Sequence, residues 1–211
     1  MLQLLLMILL SYLLGSIPTS IIAGKLLRGI DIREHGSGNA GATNVFRVMG
    51  WKIGLAVLLI DMAKGLIPTI FFYKIAAGSL HWDIVNLQII AGISAVFGHI
   101  WTVFAGFTGG KGVGTGAGMC IGLLPVEVLV ALVIFIIVVA LTRYVSLGSI
   151  LAAVSLPATL LMRYYLFDKP IPIQLLVFSL FIPLLIIYTH RSNIRRLLAG
   201  EENKLQFQKT K

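Results

Sequence analysis

The chain has 211 residues, of which 58% are hydrophobic and only 12% charged, and its mean hydropathy is +0.97. A soluble chain of this length cannot hide so much apolar surface, so a water-soluble globular protein is excluded and lipid must be the solvent for most of it. The net charge of +9 sits at the ends of apolar runs rather than on a soluble module, which argues for anionic lipid or anionic substrates and against nucleic acid.

Apolar runs over 2–24, 53–73, 86–107, 146–166 and 172–190 approach the roughly 20 residues a helix needs to cross the hydrocarbon core. The first run has no basic residues before it. Its first cations, Lys25 and Arg28, come after it, so it reads as a retained span with the N-terminus outside rather than a cleaved signal peptide. Gly15, Ser16, Thr19 and Ser20 within it are small enough to let helix backbones approach closely.

The segment Asp31 to Asn44, with Arg47 one turn further on, then breaks the hydrophobic pattern. Gly36, Gly38 and Gly41 permit positive φ and close backbone approach, while Ser37, Asn39, Thr43 and Asn44 supply neutral polar groups. Backbone N–H groups in such a loop form an anion nest, and a following helix start adds its dipole.

In the second run Asp61 and Lys64 stand three residues apart. Either charge alone at mid-membrane costs about 2.5–3.5 kcal/mol on insertion scales, so the two are expected to form a structural ion pair. His99, in the third run with Thr102 on its face, reads as a buried, hydrogen-bonded histidine.

A second glycine-rich turn follows, Phe107 to Gly116, with Gly109, Gly110, Lys111 and Gly112 at its centre and Thr115 opening the next helix. One lysine in a glycine turn at a helix N-terminus suits a phosphate. It is not a Walker A loop: Gly112 follows Lys111 where Ser or Thr would hold magnesium.

The stretch from Thr115 to Leu141 decides the topology. Counted as one span it leaves the basic tail, including Arg195, Arg196, Lys204, Lys209 and Lys211, outside and against the charge bias. Split at Pro125–Glu127, it gives a short or re-entrant helix over 113–124 and a second helix over 126–142. The expectation is therefore an all-α polytopic membrane protein of about seven transmembrane helices, N-terminus outside and C-terminus cytoplasmic, forming a single domain over 1–211 with no internal repeats. Both glycine turns then lie on the cytoplasmic side. So does the third polar segment, His190 to Lys204, which is expected to continue the last helix into water with His190 and Asn193 on one face.

Several chemistries are missing. No aspartate stands five residues after His35, His81, His99 or His190, which removes the usual acyltransferase general-base pair. No acidic cluster could hold magnesium and no Cys/His set zinc, so neither metal nor cofactor is expected; Cys120 reads as a small packing residue.

These residues resemble the PlsY family, bacterial acyltransferases that use acyl phosphate and glycerol 3-phosphate. Gly15–Ser16–Ile17–Pro18–Thr19, Asp31–Ile32–Arg33, Gly36–Ser37–Gly38–Asn39 and Gly41–Ala42–Thr43–Asn44 resemble its first motif. Gly109–Gly110–Lys111–Gly112–Val113 with Thr115 resembles the second, and His190, Asn193–Ile194, Arg196–Leu197, Gly200, Glu202 and Lys204 the third. Gly114 departs from the pattern, where alanine is expected. The resemblance runs almost from end to end. It implies a seven-helix fold in the bacterial cell membrane, a cytoplasmic site, and transfer of an acyl group to glycerol 3-phosphate as an early step of phospholipid synthesis. It implies that Ser37, Arg47, Lys111, His190 and Asn193 are the important polar residues and that the second motif helps bind glycerol 3-phosphate. A soluble enzyme that makes acyl phosphate is a candidate partner.

The expected reaction is direct attack by the glycerol 3-phosphate C1 hydroxyl on the acyl carbonyl. Lys111, Arg47 and the nests around Gly36, Gly38, Gly109, Gly110 and Gly112 hold phosphates, with Asn39, Asn44 and Thr115 as further substrate contacts. Ser37 and Asn193 orient substrate groups. The proton acceptor is either His190 or a substrate phosphate oxygen. An alternative of another class is a small transporter for a phosphorylated metabolite, built from glycine-broken helices; it predicts polar groups at the bilayer midplane rather than gathered at one edge.

Overall fold

The structure, a computed structural model, describes residues 1–78 and 82–205. Lys209 and Lys211 of the basic tail, and His81, lie outside the described residues. Among the described residues all regular elements are helical, and the chain divides into two compact units, Met1–Leu123 and Leu124–Lys211.

The first unit begins with α1 (Leu2–Ser16) and α2 (Thr19–Arg28), separated at Ile17–Pro18 because proline has no N–H to continue the ladder. A 3₁₀ turn (Ile32–Glu34) and α3 (Ala42–Met49) carry the first polar segment. Helix α4 (Trp51–Ile67) runs into a π-helical turn at Pro68–Phe72 and then α5 (Tyr73–Ala76). There the Thr69 hydroxyl donates to the Gly65 carbonyl at 2.8 Å. Helix α6 (Ile84–Ile100) and the short α7 (Val113–Leu123) complete the unit.

Small residues hold it together, as expected for helices without a hydrophobic driving force between them. A side chain at Gly15 would strike the Ala95 carbonyl, and one at Gly98 the Tyr12 carbonyl, so α1 and α6 meet backbone to backbone. Gly65 faces the Thr115 carbonyl and Gly118 the Met62 carbonyl, which seats α7 on α4 in the same way. At Gly114 a Cβ would lie 3.2 Å from Leu58 Cδ1 and 3.3 Å from Asp61 Cβ. The glycine that departs from the family pattern thus lies at this seam, against Leu58 and Asp61.

The second unit contains α8 (Pro125–Thr142), α9 (Val145–Phe167), α10 (Ile173–Thr189) and α11 (Arg191–Leu198). On α8, Leu129, Leu132, Val133, Ile136, Ile137 and Leu141 are all at least half exposed, an apolar face suited to lipid. Glu127 in the first turn of α8 is fully buried and meets Arg163 Nε of α9 at 3.1 Å.

Among the described residues five helical segments are long and apolar enough to cross a membrane: Leu2–Arg28, Trp51–Ala76, Ile84–Ala105, Pro125–Thr142 and Val145–Phe167. A sixth arises if Ile173–Thr189 and Arg191–Leu198 count as one. Helix α7 does not qualify by length; at about 1.5 Å per residue it reaches about 16 Å, roughly half the hydrocarbon core. The segment after the last span is helical, but it does not run on straight: α10 and α11 meet at 64°. The carbonyls at the bend are taken by side chains: His190 Nδ1 lies 2.8 Å from the Ile186 carbonyl, and Arg191 donates to that of Tyr188 at 3.1 Å.

Candidate active site

In the first unit the polar segment 31–44 is organised by two internal devices. Arg33 forms an ion pair with Asp31 at 2.7 Å, and its second arm donates to the Ala105 carbonyl at 3.3 Å, tying this loop to the one that follows α6. The hydrogen bonds from Arg33 hold the Asp31 carboxyl down at about 2, so the lock is charged across the physiological range. Asn44 is the second device. Its buried Oδ1 accepts from the Ser37 N–H at 2.8 Å, while its Nδ2 donates to the carbonyls of Ile32 and His35 at 3.0 and 2.9 Å. Gly36 has φ +62° and passes so close to Asn44 Oδ1 that no side chain fits, and Gly38 has φ +71°. The result is a fixed turn presenting Gly36, Ser37 and Gly38 exposed, with Asn39 half-buried and Arg47 half-buried on α3.

The second glycine turn is braced from below by the end of α6. Gly109 N–H donates to the Ile100 carbonyl at 3.0 Å and Gly110 N–H to the His99 carbonyl at 3.1 Å. A Cβ on Gly109 would strike that His99 carbonyl, and one on Gly110 would strike His99 Nε2. Gly112 turns the chain into α7 at φ +80°, leaving Lys111 half-buried between two constrained glycines. Thr115 is fully buried on α7, its hydroxyl without a hydrogen-bond partner among the described residues.

The two turns adjoin, for a Cβ on Gly110 would lie 3.1 Å from the Ala40 carbonyl. Beside Ala40 and Gly110 lies a small cleft whose walls include Ser16, Thr19, Asp61, Lys64 and His99. The expected ion pair is present at its base: Lys64 Nζ meets Asp61 Oδ1 at 2.6 Å and donates to the Ile17 carbonyl at 2.7 Å, at the break between α1 and α2. His99 is buried as expected, with Nδ1 3.8 Å from the same Asp61 oxygen.

In the second unit His190 and Asn193 are both buried at the α10–α11 bend. A carbonyl can only accept, so His190 Nδ1 carries the proton toward Ile186 and a neutral ring has its basic nitrogen at Nε2. Asn193 Nδ2 donates to Glu202 Oε1 at 2.7 Å, joined there by the Ser146 hydroxyl at 3.0 Å, while Arg196 Nε donates to Glu202 Oε2 at 2.9 Å. Burial pushes the Glu202 carboxyl up, but the hydrogen bonds from Asn193, Arg196 and Ser146 outweigh it and hold it below the usual carboxylate range. Glu202 and Ser146 were not among the expected site residues. Glu202 had a signal, since it lies within the third motif; Ser146, in the first turn of an apolar helix, had none.

Known proteins resemble the chain over nearly its whole length. The family model described as Glycerol-3-phosphate acyltransferase matches residues 5–200. A protein named Glycerol-3-phosphate acyltransferase from Chlorobaculum parvum is 52% identical, covering 98% of either chain. One of the same name from Chlorobaculum tepidum is 51% identical over the same share of both. Among solved structures, PlsY (YgiH), described as an integral membrane glycerol 3-phosphate acyltransferase, is similar in its glycerol 3-phosphate form, with a TM-score of 0.82 and 38% identity over 96% of each chain. Its lysophosphatidic acid form is similar with a TM-score of 0.80. With the three motifs in order, helices matched to lipid and this degree of likeness, the chain belongs to the PlsY family of glycerol-3-phosphate acyltransferases and is an integral membrane acyltransferase.

Proposed function

We propose that the protein transfers a fatty acyl group from acyl phosphate to the C1 hydroxyl of glycerol 3-phosphate, giving 1-acyl-glycerol 3-phosphate (lysophosphatidic acid) and phosphate. The observation that carries this reading is the meeting of two rigid glycine turns at Ala40 and Gly110, one bearing Ser37 and the other Lys111. Two adjoining turns, with Lys111 on one and Arg47 on the helix that follows the other, suit a reaction in which both substrates are phosphates. The names of the relatives and the glycerol 3-phosphate and lysophosphatidic acid forms of the neighbour support the acceptor and the product.

The hydroxyl oxygen of glycerol 3-phosphate forms a bond to the acyl carbonyl carbon. The carbonyl's bond to the phosphate oxygen breaks, and phosphate leaves with the electron pair. Lys111 and Arg47 balance charge on the phosphates, while the N–H groups of Ser37, Gly38, Gly109 and Gly110 are spent on holding the turns in shape. Ser37 and Asn193 orient substrate, with Asn39 a further contact. Asn44 acts from behind by fixing Ser37, and Thr115 by seating α7. The hydroxyl proton passes to His190 Nε2 or to a substrate phosphate oxygen. Acyl phosphate is an activated mixed anhydride, so positioning and charge stabilisation supply most of the acceleration.

The same reading makes 1–211 one domain in the bacterial cell membrane. It crosses seven times with α7 as the short crossing, N-terminus outside, and site and C-terminus on the cytoplasmic face, within reach of a soluble enzyme that makes acyl phosphate. The purified protein in detergent is expected to release phosphate from acyl phosphate only when glycerol 3-phosphate is present. Equal release without it overturns the reaction. A cysteine at Gly200 is expected to react with an impermeant reagent only in opened cells and one at Lys169 in intact cells; the reverse overturns the orientation.

A further inference from the structure

The glycine pair that precedes Lys111 has a partner outside the three motifs, the buried end of α6. Two separate atoms of one residue leave no room for side chains there: the His99 carbonyl faces Gly109, and the His99 ring, through Nε2, faces Gly110. The same carbonyl accepts the Gly110 N–H at 3.1 Å. The ring is in turn lodged against α4, with Nδ1 3.8 Å from Asp61 Oδ1, and Asp61 is held by Lys64 at 2.6 Å. Lys64 reaches on to the Ile17 carbonyl at 2.7 Å. A continuous set of buried contacts thus runs from the α1–α2 break through α4 and α6 to the turn that presents Lys111. Thr102 fastens the end of α6 to α1 by donating to the Ser16 carbonyl, and the Tyr12 hydroxyl adds a second tie to the Trp101 carbonyl at 2.6 Å.

We infer that His99, lodged against the Asp61–Lys64 pair, is a positioning residue of the reaction: its ring and carbonyl form the template that sets the Gly109–Gly110 turn and hence the place of Lys111. The inference rests on the reading of that turn as a substrate-phosphate site. A buried histidine that merely filled space would need neither two glycines cut to its shape nor the neutralised ion pair behind it. The template explains why consecutive glycines are required at 109 and 110, where φ is not positive and conformational freedom is not the reason. It acts on binding geometry. Loss of the ring lets the turn relax into the space it leaves and displaces the ammonium of Lys111 from the phosphate, while the bonds being made and broken are untouched.

The test is a kinetic double-mutant cycle on the purified full-length protein, with acyl phosphate and glycerol 3-phosphate as the varied substrates. His99→Leu is expected to raise the KM of at least one phosphate substrate about tenfold while kcat stays within about threefold, and His99→Asn, which keeps a polar group in less volume, to recover part of the loss. Gly110→Ala is expected to impair the enzyme because its methyl meets the ring. Combined with His99→Asn it should do less harm than the product of the single effects, by about fivefold, because the smaller residue admits the methyl. An unchanged KM in His99→Leu, a loss confined to kcat, or strictly multiplicative effects in the cycle overturn the inference. If His99→Leu does not fold, His99→Asn and the cycle carry the same test. Lys111→Ala separates the two levels. If it leaves both KM values and kcat unchanged, the turn is not a substrate site and the underlying reading falls. If it impairs the enzyme while the cycle is multiplicative, only the role of His99 falls.

Discussion

The Asp61–Lys64 pair gives the most direct test of how this fold tolerates charge inside the membrane. Both side chains are about 4% exposed, their contact is 2.6 Å, and Lys64 also satisfies the Ile17 carbonyl. Lys64→Met removes the lysine partner of a buried carboxylate. Breaking a buried pair from one side costs about 3–5 kcal/mol, since the remaining charge is left uncompensated. For a chain of about this length each kcal/mol moves the melting temperature by about 2–4 °C, so the expected fall is about 6–20 °C. Asp61→Leu, which strands the ammonium instead, should fall in the same range. The double variant Asp61→Leu/Lys64→Met should recover more than half of the loss, because two apolar groups of similar volume carry no desolvation penalty. The Ile17 carbonyl keeps its hydrogen bonds from the Thr19 N–H at 2.9 Å and the Thr19 hydroxyl at 3.4 Å, so losing Lys64 leaves it satisfied. Thermal unfolding in detergent, followed by the fluorescence of the three tryptophans, reads all four proteins. A Lys64→Met protein melting within about 2 °C of the parent, or a double variant less stable than both singles, would refute the reasoning.

Lys111→Ala should lower kcat/KM for the phosphate substrates by roughly 10- to 150-fold, the worth of one charge-assisted hydrogen bond, in a protein that still inserts and melts normally. Lys111→Arg should restore only part of it, because the turn between Gly110 and Gly112 admits a compact ammonium better than a planar fork. Initial-rate plots at several glycerol 3-phosphate concentrations should intersect, as direct transfer requires both substrates bound together. Parallel lines and an acyl group trapped on Ser37 would replace this route with a covalent one. Glu202→Gln should lower the melting temperature at neutral pH, since an amide nitrogen cannot accept from both Asn193 and Arg196. The folded-state pKa of Glu202 lies below its ordinary 4.5, so its stabilisation is present above that value and lost as pH falls through the folded pKa. The gap between parent and variant should therefore close as the medium is acidified, and a gap that widens would contradict the assignment.

Much of this protein is legible in one dimension. The hydropathy of whole segments determines that lipid is the solvent. The spacing of Asp61 and Lys64 determines their pairing, because residues three apart on a helix are neighbours wherever the helix lies. Gly36, Gly38 and Gly112 mark positive φ, a property of the local backbone. The three motifs carry the family. What the tertiary structure alone decided involves residues far apart in sequence or competition for the same atoms. Asn44 looks like a substrate donor in the sequence, yet its amide is engaged with the carbonyls and N–H of its own loop. The reason for glycine at 109 and 110 lies in the docking of His99 beneath them. Ser146 reaches Glu202 across 56 positions, a contact no local pattern signals. The last helix bends at His190 although its sequence continues the helical period, because His190 and Arg191 capture carbonyls at the bend. Local sequence specifies where polar groups occur along each helix; which of them are spent on structure and which remain for substrate depends on long-range packing, since each buried donor and acceptor is satisfied by whatever the fold brings within reach.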